Sequence, residues 1–159
     1  MSTDDNDLTG AGPALFRLVR FWSRRWIMRA ATEVSIDELH VQDILVLDAV
    51  DAAARHGAEV SVTDVAYHLG LDHSGASRLV SAATEHGYLH RSPSSVDKRR
   101  TALTVTDAGL DLLTSSHAWQ NDTYTRLTAD WDTHDAAQFA HYLQRLAQDL
   151  NDPTTVLPA

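Results

Sequence analysis

Residues 60–109 read VSVTDVAYHLGLDHSGASRLVSAATEHGYLHRSPSSVDKRRTALTVTDAG, and the succession of periods within them decides the fold. Ser61 is followed three positions on by Asp64, a pattern that opens a helix by satisfying its free N–H groups. Val65, Ala66 and Leu69 supply the buried side of this short helix, and Gly70 ends it. A second helix starts at Asp72 or at His73–Ser74 and runs to the neighbourhood of His86, closed by Gly87, with Leu79, Val80 and Ala83 inward. Then the period changes. Tyr88–Arg91 is short and extended, Ser92–Ser95 is turn chemistry, and Thr101–Val105 is a β-branched alternating run. The stretch predicts two short helices joined by a glycine-containing turn, followed by a hairpin with a basic tip at Asp97–Arg100. That order is a winged helix-turn-helix.

Outward from this stretch the period is helical. Upstream, Pro13 suits a first helical turn, and Leu15, Leu18, Val19, Trp22 and Trp26 recur on one stripe. Ser35 with Glu38 resembles a capping box. Behind it Leu39, Ile44, Leu45, Leu47 and Val50 give a helix with a broad apolar face that stops near His56–Gly57. Downstream, Thr106–Asp107 opens a long helix with Leu110, Leu113, Trp119 and Leu127 inward. A last helix carries Ala136, Phe139, Ala140, Leu143, Leu146, Ala147 and Leu150 in a regular stripe. Residues 1–12 read as a loose arm and 151–159 as a non-helical tail. The predicted fold class is mainly α with a small two- to three-stranded β-wing.

Composition narrows the function. A chain of 159 residues with 43% apolar and 22% charged side chains is one globular domain able to bury its own core. No apolar run approaches a membrane span, and the acidic, polar N-terminus is unlike a secretory signal, so a cytoplasmic protein is expected. The absence of cysteine excludes disulfides, thiolate nucleophiles and Cys-based zinc sites. The net charge of −9 is unevenly spread. Residues 73–106 hold five basic and two acidic side chains, +3, while residues 1–72 and 107–159 each carry −6. A cationic window inside an anionic chain confines any contact with phosphates to that window.

Within the window, Ser74, Ser77, Arg78 and Ser81 share one helix face. A helix fits the major groove, and Arg78 there can pair bidentately with guanine. In the hairpin, Arg99 is the candidate for minor-groove insertion and Lys98 and Arg100 for phosphates. Asp97 is expected to orient an arginine, since a free carboxylate would repel the backbone. Ser61, Thr63 and His73, at the starts of the two helices, complete the candidate DNA-binding set.

The residues of this stretch resemble the MarR family of bacterial transcriptional regulators. Val62-Thr63-Asp64-Val65-Ala66 with Leu69 and Gly70 is similar to the first helix of the family's motif, and Ser77-Arg78-Leu79-Val80 to the middle of its recognition helix. Gly87-Tyr88-Leu89-His90-Arg91 is similar to the turn into the wing. Asp97-Lys98-Arg99-Arg100, followed by Leu103, Val105-Thr106 and Gly109, is similar to the wing's second strand and exit. Gly75, Ser81, Ala82 and Ala83 depart from the usual pattern, and Gly75 inside a helix costs about 1 kcal/mol relative to Ala. The resemblance implies residues 1–34 as arm and dimerisation helix, 35–106 as the DNA-binding lobe and 107–159 as dimerisation helices and tail. It also implies a homodimeric repressor on a pseudo-palindromic operator in double-stranded DNA. A small-molecule effector would bind between helices and lobe, with Trp22, Trp26 and His40 as candidate pocket residues; ordinary packing is their alternative role.

Nine histidines form no evident ligand constellation, and no phosphate-binding glycine loop or hydrolase motif occurs, so neither an enzyme, a metal site nor a cofactor is expected. Two rival readings remain: a winged-helix module that docks a protein partner without binding DNA, and a regulator whose input is a metal.

Overall fold

The computed structural model describes residues 10–21, 38–55, 57 and 59–151. The predicted cap at Ser35, the stripe residues Trp22 and Trp26 and the predicted stop at His56 lie outside the described residues, as do 1–9 and 152–159.

Helix α1 covers residues 11–21, with Pro13 in its first turn, so the predicted arm ends two residues earlier than expected. Then follow α2 (Glu38–Ala54), α3 (Val62–Leu69), α4 (His73–Glu85), β1 (Leu89–Pro93), β2 (Thr101–Val105), α5 (Asp107–Leu127) and α6 (Thr133–Asn151). The two strands pair antiparallel, with Leu89 opposite Val105 and Pro93 opposite Thr101. A single bridge from Val60 to Leu103 adds the trace of a third strand, through Leu103 N–H donating to Val60 O at 2.8 Å. The architecture is mainly helical with a small β-wing.

One core fills the space between α2, α3, α4 and the wing. Val46, Leu47, Val50, Val65, Ala76, Val80, Ala83, Leu89 and Leu103 are buried in it, and Leu113 joins from α5. Burying an aliphatic side chain contributes about 1.5–3 kcal/mol, so this cluster is what holds α4 and the hairpin in fixed relation. The start of α5 is pressed against that core. A Cβ on Gly109 would stand 2.4 Å from Tyr88 O and 2.7 Å from Val105 Cγ1, so only glycine admits this approach. Thr106 caps α5 by accepting from Gly109 N–H at 3.1 Å, and its hydroxyl donates to Gly87 O at 2.7 Å.

Three predicted inward positions face out instead. Leu45, Leu110 and Leu127 are exposed. Their helices carry apolar side chains on more than one side, and the described residues leave these three uncovered. Conversely Asp43, a carboxylate on α2, is 1% exposed. Burying it is tolerated because its Oδ2 is hydrogen-bonded to His86 Nδ1 at 2.8 Å, which ties α2 to the end of α4.

Candidate nucleic-acid interface

The turn between α3 and α4 is built from local caps. Ser61 opens α3, and Asp64 Oδ2 accepts both its N–H at 2.8 Å and its hydroxyl at 2.6 Å. Partial burial alone would raise the Asp64 carboxyl; the two Ser61 hydrogen bonds and the Arg100 guanidinium outweigh it and hold it below the ordinary value. Gly70 ends α3 in the left-handed region at φ 63°. Asp72 caps α4 by accepting Gly75 N–H at 2.6 Å. A Cβ at position 75 would meet that same Asp72 oxygen at 2.9 Å, so Gly75 belongs to the cap rather than to the helix interior.

Helix α4 buries Ala76, Val80 and Ala83 and turns its other side outward. His73, Ser74 and Arg78 are exposed on it, and Ser77 and Ser81 are half-buried. Thr63 is exposed in the first turn of α3. Ser61 is different from the rest of the candidate set: it is buried, and its hydroxyl is committed to Asp64 and to Arg100 Nη2 at 3.3 Å. It is a cap, with nothing left to offer a duplex.

The wing tip is fastened from beneath. Ser94 is buried, and its Oγ accepts from Val96 N–H at 3.1 Å and Asp97 N–H at 3.0 Å. Its hydroxyl donates to Glu59, which also accepts from the Ser95 hydroxyl and from Ser95 N–H at 2.8 Å. These bonds, the Ser94 hydroxyl first, pull the Glu59 carboxyl down from 4.5 to about 2. Asp97 Oδ1 accepts Arg99 N–H at 3.0 Å, so the contact from Asp97 to an arginine runs through the backbone. Arg100 leans back toward Ser61, which divides it between the lobe and solvent. A cavity of about 180 Å³ lies under the loop, lined by Glu59, Ser61, Ser94 and Arg100 among others. Among the described residues, the side chains of Arg78, Lys98 and Arg99 have neither an ion-pair nor a hydrogen-bond partner.

Sequence reasoning missed Glu59, Asp43 and Arg91. Glu59 and Asp43 find their partners 35 and 43 positions away, and no local pattern marks either. Arg91 of β1 donates through Nη2 to Ser81 Oγ at 3.0 Å, which joins the wing to the outward side of α4. His40 lies half-buried with its ring 5.8 Å from that of Tyr88.

With this geometry in place, the sequence itself has a match. Residues 38–100, from the start of α2 to the wing tip, match the sequence profile of the MarR family. Over these residues the chain is similar to the MarR family. Solved structures share the fold at low identity. A point mutant of Staphylococcus aureus MepR superposes with a TM-score of 0.63 at 16% identity, covering 87% of this chain and 98% of that one. A MarR family transcriptional regulator from Silicibacter pomeroyi gives 0.62 at 22% identity, covering 87% and 88%. A Staphylococcus aureus MepR–DNA complex gives 0.56 at 16% identity, covering 87% and 99%. No curated protein matches the chain in sequence. The family is one of transcriptional regulators rather than of enzymes. Among the described residues no helix is long and apolar enough to cross a membrane.

Proposed function

We propose that this chain is a MarR-family transcriptional repressor that binds a pseudo-palindromic operator in double-stranded DNA as a homodimer. One observation carries the reading: Arg78 on the outward side of α4 and Lys98 and Arg99 on the fastened wing are cations with no partner among the described residues. Uncompensated charge on a helix and a loop fixed to one core is what a duplex requires, with the helix in the major groove and the wing beside it. Arg78 reads a base edge, Arg99 enters the minor groove, and Lys98 and Arg100 meet phosphates. Thr63, His73, Ser74, Ser77 and Ser81 supply neutral contacts. Ser61 and Asp97 act behind them as caps. The acidic remainder of the chain repels the backbone and limits contact to this surface.

The dimer is supported by apolar side chains left uncovered on both flanks. Leu15, Phe16 and Leu18 of α1 and Leu143, Leu146 and Leu150 of α6 are exposed in the single chain. A two-fold partner covering them sets two recognition helices about one DNA turn apart. The solved MepR–DNA complex with this fold supports the DNA reading. Small-molecule control is assigned to the region of His40. A ligand there acts through Tyr88 on the wing, provided it binds the DNA-competent and incompetent arrangements unequally.

The test is binding to a duplex carrying an inverted repeat found just upstream of the gene. Arg99→Ala is expected to weaken binding more than tenfold with the fold unchanged, and Lys98→Ala to lower the salt slope by about one unit. Unchanged affinity and slope in both variants would overturn the reading in favour of a protein-docking module. A chelator that alters operator affinity would replace the small-molecule input with a metal.

A further inference from the structure

Arg91 sits where the wing meets the recognition helix. In the hairpin register it stands opposite Leu103, two residues along β1 from Leu89. Alternation puts Leu89 and Arg91 on the same sheet face. Leu89 and Leu103 are buried in the core on that face, whereas Arg91 is exposed, so its guanidinium emerges at the edge of the core beside α4. There Nη2 donates to Ser81 Oγ at 3.0 Å. Ser81 lies three residues from Arg78 on the helix and therefore one turn further along the same side.

The chemistry of the partner matters. No carboxylate among the described residues forms an ion pair with Arg91. A guanidinium carries five N–H donors, and a neutral hydroxyl occupies one of them while leaving the charge intact. A carboxylate in the same place would aim the side chain and neutralise it together. Ser81 aims it only.

We propose that Arg91, held by Ser81, is a seat for a DNA backbone phosphate at the junction of wing and recognition helix. The seat rests on the DNA-binding reading above and adds to it a cation that belongs to neither the helix nor the wing tip. A phosphate held there registers α4 and the hairpin on one strand simultaneously. Phosphate contacts position a protein without reading sequence, so the contribution of Arg91 is equal on cognate and shuffled DNA.

The probe is the duplex that the full-length chain selects from a random-sequence library, together with a shuffled duplex of the same length. Arg91→Gln keeps a donor for Ser81 and removes the charge. It is expected to weaken binding about tenfold on both duplexes and to lower the salt slope by about one unit. Arg91→Lys is expected to restore the slope. Ser81→Ala is expected to weaken binding by a few-fold with the slope unchanged, because the charge stays while its aim and the neutral contact of Ser81 are lost. If Arg91→Gln leaves the slope as in the unaltered chain while Lys98→Ala lowers it, Arg91 is a structural brace and the seat is wrong although the DNA reading stands. If no duplex is selected, or neither variant moves the slope, the DNA reading fails and the seat with it.

Discussion

The winged lobe and the flanking helices solve the burial problem differently. From α2 to β2 the chain closes its own core, and the polar groups around that core are paired by caps: Asp64 under Ser61, Asp72 under Gly75, Thr106 between Gly87 and Gly109. Helices α1 and α6 have equally regular apolar stripes, yet no described side chain of either is buried. Periodicity declares that a helix has an apolar side; it does not declare whether the same chain covers it. The lobe is therefore a finished unit, and the flanks present surface that a second copy is proposed to complete. Charge divides along a different line: the +3 lies across residues 73–106, whereas the −6 of residues 1–72 falls entirely within 38–72, inside the lobe.

The largest loss is expected in the lobe core. Leu47 is fully buried between α2 and the start of α5. Leu47→Ala is expected to cost about 2–5 kcal/mol, read as a lower midpoint in urea unfolding. A loss below about 1 kcal/mol would mean the site collapses freely and the lobe is less tightly determined than described. Next comes the junction of lobe and flank. Gly109→Ala drives a methyl against Tyr88 O and Val105, and strain of about 1–3 kcal/mol is expected in thermal unfolding. A neutral result would show that α5 does not press on the wing base.

The flank half is sharpened by Leu146→Glu, which puts a charge into the uncovered side of α6. The proposed dimer is expected to weaken at least about tenfold, or roughly 1.4 kcal/mol, in sedimentation, with far-ultraviolet dichroism of the chain retained. A dimer that survives unchanged places the interface elsewhere. The smallest effect belongs to the wing fastener. The folded value of the Glu59 carboxyl, about 2, lies below its ordinary 4.5. Its contribution is therefore fully present above pH 4.5 and is lost as pH falls toward 2. The Ser95 amide resonance is expected to shift across that interval, and in Glu59→Gln to stay still. A Ser95 amide that shifts equally in both proteins would detach Glu59 from the loop.

Most of the lobe was legible because its signals are local. The caps at Ser61, Asp72 and Thr106, the stop at Gly70 and the change of period at Tyr88 all act over three or four residues. The links that set one element against another were not. Asp43 with His86, Glu59 with Ser94 and Arg91 with Ser81 join residues in different parts of the lobe, 43, 35 and 10 positions apart, and each is a polar pair without a period. Ser61 entered the candidate interface from its position at a helix start, whereas its hydroxyl and N–H are both used within the lobe. Leu45, Leu110 and Leu127 fail for the opposite reason: their apolarity is plain, and what covers them is not encoded nearby. Gly75 looked costly in a helix interior and is explained by the carboxylate of Asp72 lying where its Cβ would be.

The tethering of Ser94 has a consequence for timing. Because Ser94 and Glu59 already hold the backbone amides of residues 95 to 97, the loop tip is set before any encounter. At the tip, the side chains of Lys98 and Arg99 still have rotamers to surrender, on the order of 0.5–1.5 kcal/mol each, when the proposed complex forms. A tip pre-set in this way spares association a search through loop shapes, so the rate of capture is governed by diffusion and field rather than by rearrangement.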